Sequence, residues 1–235
     1  MLNLPPLQWH GHMPEDRLPD NASNDDYVQQ GAGKMIEQET YSNVRHRMQP
    51  GDVIAFGGVG MFSAIIKWWT RYPISHVGIV SRVDVHGGPE SVRVMESTSL
   101  DGYCGVIETR LSQRIEHYKG EVLWLPLSFY NRMRIRLSMY WDYVYDMEGK
   151  PYDLWQAVRS ATWDGDENFD RLFCSELVAG ALEASGLIDS LNASAVTPRD
   201  ICMFNIYNPT VYQLVGKPIE KLPGLNSINP EGFGQ

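Results

Sequence analysis

The stretch Leu172–Gly186, with the sequence LFCSELVAGALEASG, determines how the rest of the chain is interpreted. Apolar residues recur through it at helical spacing, which predicts a helix with one apolar face. The residues of that face are Leu177, Val178, Ala181 and Leu182. Gly186 follows at the position where a left-handed cap ends a helix.

Cys174 falls in the first turn of this predicted helix. A helix N-terminus carries about half a positive charge and unpaired N–H groups. Both favour a thiolate over a thiol, and the thiolate is the nucleophilic form of cysteine. The plainer interpretation is that Cys174 is a small buried apolar residue, as most single cysteines are. The choice between the two depends on the rest of the chain.

Composition limits the class of protein. The chain has 235 residues, of which 43% are hydrophobic and 21% charged, as expected for a globular protein with one large or two small domains. The formal net charge of -9 argues against a nucleic-acid partner and against simple electrostatic docking on anionic lipid.

Cysteine usage and the N-terminus bear on the compartment. Cys104, Cys174 and Cys202 form no CxxC or Cys/His metal spacing, so neither a disulfide framework, a metal site nor a cofactor is expected. The first ten residues lack a basic segment followed by an apolar run, and no apolar stretch has the length of a membrane span. These features favour a cytoplasmic protein without a secretory signal.

The order of predicted elements indicates an α+β fold. Short apolar runs at close spacing predict a largely antiparallel sheet. These runs are Val53–Phe56, Ser75–Val83, Val92–Glu96, Val106–Glu108 and Val122–Leu125. Helical patterns cover Met61–Thr70 and about Tyr130–Tyr145.

Three regions are predicted. The domain proper covers residues 48–202, beginning near the turn at Gly51 and Asp52. Residues 1–47 form an N-terminal extension whose segment 26–47 has a helical pattern. Residues 203–235 form a C-terminal extension, and from Tyr207 on this tail is expected to wrap over the surface.

A nucleophilic cysteine needs a base, and the base needs a group that orients it. Of the six histidines, His76 is the one tied to a clear apolar strand, where a side chain is aimed well. Glu96 closes the next predicted strand, and in an antiparallel hairpin the start of one strand lies beside the end of the other. Glu96 is therefore expected beside His76, although a strand-end surface charge is the simpler interpretation of a lone glutamate.

Five short motifs occur in a recognisable order. They are Gly51-Asp52, Ser75-His76-Val77-Gly78-Ile79-Val80, Glu96-Ser97, Gly149-Lys150-Pro151-Tyr152-Asp153 and Phe173-Cys174-Ser175-Glu176-Leu177. This order resembles the circularly permuted NlpC-type papain-like cysteine hydrolases, in which the histidine precedes the cysteine. The branch it resembles most is that of the YiiX-like amidases and peptidases, which are related to the lecithin–retinol acyltransferases.

The resemblance implies a fold and a set of roles over residues 48–200. The fold is a permuted papain-like one, with an antiparallel sheet packed against the helix that carries the nucleophile. Cys174 corresponds to the nucleophile, His76 to the base and Glu96 to the residue that orients the base. Tyr152 matches a tyrosine of the family and is assigned either to the substrate cleft or to packing.

The implied activity is hydrolysis of amide bonds, first of all in peptidoglycan-type peptides, with a peptide or lipid amide as the substrate. Two alternatives stay open. One is a lipid amidase or acyltransferase that uses the same triad, with Met61, Trp68 and Trp69 lining an acyl groove. The other is a non-catalytic module of a larger, phage-like particle, joined through the terminal extensions; such a particle could also carry an active enzyme to its substrate.

Overall fold

The computed structural model describes residues 35–84, 88–100, 103–150 and 171–235. Within these ranges the strands are β1 Met35–Gln38, β2 Val53–Gly58, β3 His76–Val83, β4 Val92–Leu100, β5 Tyr103–Arg110, β6 Gly120–Leu125 and β7 Thr210–Val215. The α-helices are α1 Tyr41–Val44, α2 Met61–Thr70, α3 Leu111–His117, α4 Phe129–Arg134, α5 Leu137–Met147, α6 Arg171–Ala184 and α7 Pro198–Met203. Short 3-10 helices lie at Arg45–Arg47 and Ala193–Ala195.

The seven strands form one sheet in the order β1-β7-β6-β2-β3-β4-β5. Neighbouring strands are antiparallel except β1 and β7, which pair in parallel. The predicted α+β class is therefore confirmed. The parallel pair at one edge departs from the antiparallel sheet expected from the sequence, because it joins segments far apart in the chain.

The sheet is covered on both faces. On one face α6 packs against β3 and β4 and against α5, and its apolar residues lie in a core with Val77, Ile79 and Met95. On the other face a smaller core contains Phe56, Val94 and Leu111. Because side chains alternate along a strand, β3 and β4 contribute to both cores.

Close approach of α5 and α6 depends on Gly180. A Cβ atom at this position would collide with the hydroxyl group of Tyr143 in α5. The glycine in the middle of the apolar helix therefore permits the packing that holds α6 on the sheet.

The turn before β2 is held by a buried carboxylate. Asp52 is fully buried and accepts hydrogen bonds from the indole of Trp124 and the backbone N–H of Leu127. It also forms an ion pair with Arg132 in α4. Its neighbour Gly51 has a φ of 91°, which favours glycine.

The sheet extends beyond the predicted domain boundaries at residues 48 and 202. Strand β1 comes from the predicted N-terminal extension, and β7 comes from the predicted C-terminal extension. The expectation that the C-terminal segment wraps over the surface is wrong, because Tyr207, Val211 and Leu225 are buried in the main core.

Two predicted helices differ in the structure. The helix expected over 130–145 is two helices, α4 and α5, with an interruption at Ile135 and Arg136. At this interruption the N–H of Arg136 donates to the carbonyl of Ser185 and not to a carbonyl of its own helix. In the described part of segment 26–47, only Tyr41–Val44 is α-helical, since residues 35–38 pair with β7 instead.

Candidate active site

His76 is the first residue of β3, an interior strand of the sheet. Its side chain is 19% exposed, and its ring centroid is 5.4 Å from that of Phe56 on β2. The Nε2 atom lies 2.9 Å from Oε2 of Glu96. Since an ionised carboxylate can only accept, Nε2 carries the proton and donates it to this contact.

Glu96 is fully buried in β4 and has three partners. Arg114 of α3 donates from Nε to Oε1 and from Nη2 to Oε2, at 2.8 Å in both cases. Thr109 of β5 donates its hydroxyl to Oε1 at 2.9 Å. Together with His76, these contacts satisfy both oxygens and fix the plane of the carboxylate.

Gly78 makes room for the side chain of Glu96. The register pairs Ile79 with Met95 and Val80 with Val94, so continuing it sets Gly78 opposite Glu96. A Cβ atom at Gly78 would lie 2.8 Å from Cγ of Glu96. The glutamate therefore crosses the bare backbone at Gly78 to reach His76, two residues earlier on the same face.

Cys174 contacts His76 from helix α6, which packs on one face of the sheet. It lies in the first turn of α6, is 1% exposed, and its side chain is hydrogen-bonded to that of His76. Because Glu96 occupies Nε2, the ring nitrogen left for this contact is Nδ1. The result is a continuous chain of contacts from Cys174 through His76 to Glu96 and Arg114.

The electrostatics of this chain favour a charged imidazole. Burial alone lowers the pKa of His76, but the negative Cys174 side chain, its hydrogen bond and Glu96 together raise it to about 9. Burial alone raises the pKa of Glu96, but hydrogen bonds from His76 and Arg114 and their positive charges lower it to about 2. At neutral pH the raised pKa of His76 therefore keeps its imidazole protonated beside the ionised carboxylate of Glu96.

The residues expected from the sequence fall into two groups. Cys174, His76 and Glu96 are brought together in one site. Tyr152, the tentative substrate-binding residue, lies outside the described residues. Cys104 lies in β5, and Cys202 is fully buried in α7, where burial raises the pKa of its thiol.

Sequence reasoning missed the residues that hold Glu96. Arg114 lies in a seven-residue helix that was not predicted, and Thr109 lies in a strand whose predicted end was Glu108. Contact between Thr109 and Glu96 could have been inferred from strand pairing. Thr109 lies opposite Val94, and Glu96 follows Val94 by two residues on the same face of the sheet. Arg114 has no comparable signal, because helix α3 has only one buried residue, Leu111.

The residues that the structure describes offer neither a metal-binding cluster nor a helix that could span a membrane. No cluster of three or more His, Cys, Asp or Glu side chains in these ranges is placed to bind a metal ion. Among the helices of the same ranges, none has both the length and the apolar character needed to cross a bilayer.

The chain is similar to distant structural neighbours among solved structures. No protein-family model matches the chain, and no curated protein matches it. The crystal structure of the metalloprotein YiiX from Escherichia coli O157:H7 is similar at 26% sequence identity and a TM-score of 0.39. The match covers 58% of this chain and 66% of that one, so this chain spans less than two thirds of its neighbour.

Proposed function

We propose that this chain is a cysteine hydrolase that cleaves amide bonds through an acyl-enzyme. The observation that carries the proposal is the contact chain in which Cys174 is hydrogen-bonded to His76 and His76 to Glu96 at 2.9 Å. A nucleophile, a base and a group that orients the base are the parts that this chemistry requires.

The first half of the reaction transfers the acyl group. The thiolate of Cys174 attacks the carbonyl carbon while the proton it has lost is held on His76. Collapse of the tetrahedral intermediate breaks the C–N bond, and His76 gives its proton to the departing amine. The acyl group is left on Cys174 as a thioester.

The second half restores the enzyme. Water attacks the thioester, His76 takes a proton from it, and the C–S bond breaks to release the carboxylic acid and the thiolate. The N–H of Cys174, in the first turn of α6, is the donor proposed to stabilise the oxyanion of the tetrahedral intermediate. Such a donor contributes on the order of 3 kcal/mol.

Glu96 acts as a positioning residue. It keeps the proton of His76 on Nε2 and leaves Nδ1 facing the thiol. Its own orientation depends on Arg114 and Thr109, which hold the carboxylate from the other side. A fixed ring orientation, with Nδ1 directed toward Cys174, is the condition for both proton transfers.

The substrate class proposed first is a peptidoglycan-type peptide, on the strength of the motif order. A second candidate is a lipid amide or ester, favoured by the exposed apolar side chains of α2, which residues 71–75 connect to His76. Met61, Trp68 and Trp69 were expected to line an acyl groove, but they are 74%, 78% and 53% exposed, respectively, and point to an open apolar surface instead.

Intact-protein mass spectrometry tests the proposal. The protein is mixed rapidly with a wall-type peptide or an N-acyl ethanolamide, quenched in acid and examined for a mass increase equal to the acyl group. The increase is expected for one of these substrates, on Cys174, with release of the free amine. Cys104→Ser is the matched control and should keep the adduct, whereas Cys174→Ser should lose it. Turnover of either substrate by Cys174→Ser would refute the proposal, and absence of an adduct and of amine release with both substrates would favour a non-catalytic protein.

A further inference from the structure

Helix α2 carries an apolar face that is open to solvent. Its most exposed apolar side chains are Met61 at 74%, Ile65 at 50%, Trp68 at 78% and Trp69 at 53%, and Val59 just before the helix is 66% exposed. Met61, Ile65 and Trp68 are spaced four and three residues apart, so they form one stripe. A tryptophan this exposed is unusual, because the indole normally buries a large apolar area.

The helix is held firmly with this face outward. Lys67 forms an ion pair with Glu121 of β6 at 3.2 Å, on the side turned to the sheet. At the C-terminal end, Arg71 adopts a left-handed conformation with its N–H on the carbonyl of Lys67, and Arg199 donates to the carbonyl of Thr70 at 3.3 Å. The apolar stripe is therefore a fixed feature of the surface.

Basic side chains border the stripe although the chain as a whole has a net charge of -9. Helix α2 contains no acidic residue. The exposed side chains of Arg71 and Arg199 lie at its C-terminal end, and exposed Lys119 adjoins its start, where its carbonyl accepts from the N–H of Val59. Three exposed basic side chains therefore lie at the ends of α2, whereas the nearby carboxylate of Glu121 is paired with Lys67 and that of Asp200 bonds to Thr197.

This combination fits the interface of an anionic bilayer. Interfacial helices present tryptophan and aliphatic side chains to the boundary between headgroups and acyl chains, with lysine and arginine beside them. Basic residues within a Debye length of an anionic leaflet are attracted to it. Overall charge predicts repulsion from such a surface, but the charge next to the stripe decides how the protein would approach it.

We propose that α2 is a docking element for the surface of an anionic lipid bilayer, with Met61, Ile65 and Trp68 inserted at the headgroup level and Arg71, Lys119 and Arg199 facing the lipid phosphates. Docking does not require that Cys174 be a nucleophile. Docking through α2 would also fix which side of the protein faces the bilayer. That side would include the region of His76, because only residues 71–75 separate α2 from His76.

Vesicle co-sedimentation of the full chain tests this proposal. The vesicles are phosphatidylcholine alone or phosphatidylcholine containing about one third phosphatidylglycerol. The protein is expected to bind the anionic vesicles at least about tenfold more tightly than the neutral ones, and added NaCl should weaken the binding. The double variant Met61→Ser and Trp68→Ser should lose about tenfold or more in affinity.

Two further variants make the test specific. Phe129→Ser with Met133→Ser removes two other exposed apolar side chains, at 63% and 53%, from α4 and should bind like the native chain. Arg71→Gln with Lys119→Gln should lower affinity for anionic vesicles only. Equal loss in the α4 variant, or no binding to anionic vesicles, would overturn the proposal. A dimer seen by light scattering and abolished by the α2 double variant, without vesicle binding, would assign the face to a second copy and would also overturn it.

Discussion

Arg114 binds both carboxylate oxygens of Glu96, with N–O distances of 2.8 Å. The pair is buried, since the side chain of Glu96 is not exposed and that of Arg114 is 13% exposed. Removing one partner of a buried pair leaves the other charge without compensation, which is more damaging than the net value of the pair. Arg114 therefore supports the proposed catalysis although, in this mechanism, it contacts neither Cys174 nor the substrate.

Replacing Arg114 by Gln should destabilise the protein by about 3 kcal/mol, because the Glu96 carboxylate loses its main counter-charge. The pKa of Glu96 should rise, and the acid side of the activity profile should move to higher pH. Urea unfolding and the pH dependence of kcat/KM measure the two effects. Arg110→Gln is the matched control, since its ion pair with Glu90 is exposed and should contribute less than about 1 kcal/mol. Equal effects of the two variants would contradict the role of Arg114.

Gly78→Ala should disturb the pair of His76 and Glu96 without changing a charged group. The added methyl group would lie 2.7 Å from Cγ1 of Val94 and 2.8 Å from Cγ of Glu96, so the strands have to separate or the glutamate has to move. A loss of stability of about 1–3 kcal/mol is expected, with a fall in turnover. Gly88→Ala has open space around its Cβ and should change stability by less than about 0.5 kcal/mol. Unchanged turnover in Gly78→Ala would show that the glutamate need not cross this position.

The value of kcat/KM should fall as the pH rises through about 9. The pKa of His76 is raised to about 9 in the folded protein from an ordinary value of 6.5. The protonated imidazole therefore stabilises the folded state fully below about pH 6.5, and this contribution is lost as the pH rises through about 9. The same deprotonation removes the acid that protonates the leaving amine. Glu96→Gln should shift the alkaline limb of kcat/KM to lower pH, because the imidazolium loses a negative partner. A limb that does not move would argue against the contact with Glu96 in the working enzyme.

Thiol labelling with iodoacetamide at about pH 6 should modify Cys174 before the other cysteines. Cys174 is 1% exposed whereas Cys104 is partly exposed, so preference for the less accessible thiol reports activation and not access. Peptide mapping by mass spectrometry locates the label. His76→Ala should reduce the preference, and Cys202→Ser should leave it unchanged because that thiol is fully buried. Preferential labelling of Cys104 would indicate an unactivated Cys174.

Local patterns account for the parts of the fold that were predicted. Helix α2 was predicted over its observed span, and α6 within about two residues, because both have apolar faces at helical spacing. The closeness of His76 to Glu96 was predicted from hairpin geometry, since β3 and β4 are consecutive antiparallel strands.

The missed parts depend on contacts between distant segments. Strand β7 follows Pro209 and precedes Gly216, a context typical of loops, and it is stabilised by pairing with β1 and β6. Strand β1 has only four residues and pairs with a segment about 175 residues away. The contact of Arg114 with Glu96 likewise depends on how α3 packs across the sheet, and periodicity within one segment contains no information on it.

The interior position of β7 makes the order of synthesis matter. In the finished sheet β7 lies between β1 and β6, yet it is the last strand to leave the ribosome among those described. At ordinary elongation rates, the edge of β6 remains open for roughly 5 to 20 s before β7 is available to cover it. An open strand edge is a template for pairing between chains, so the nascent protein is most prone to aggregate in that interval. Slower translation of the segment before β7 lengthens the exposure and increases the need for chaperones.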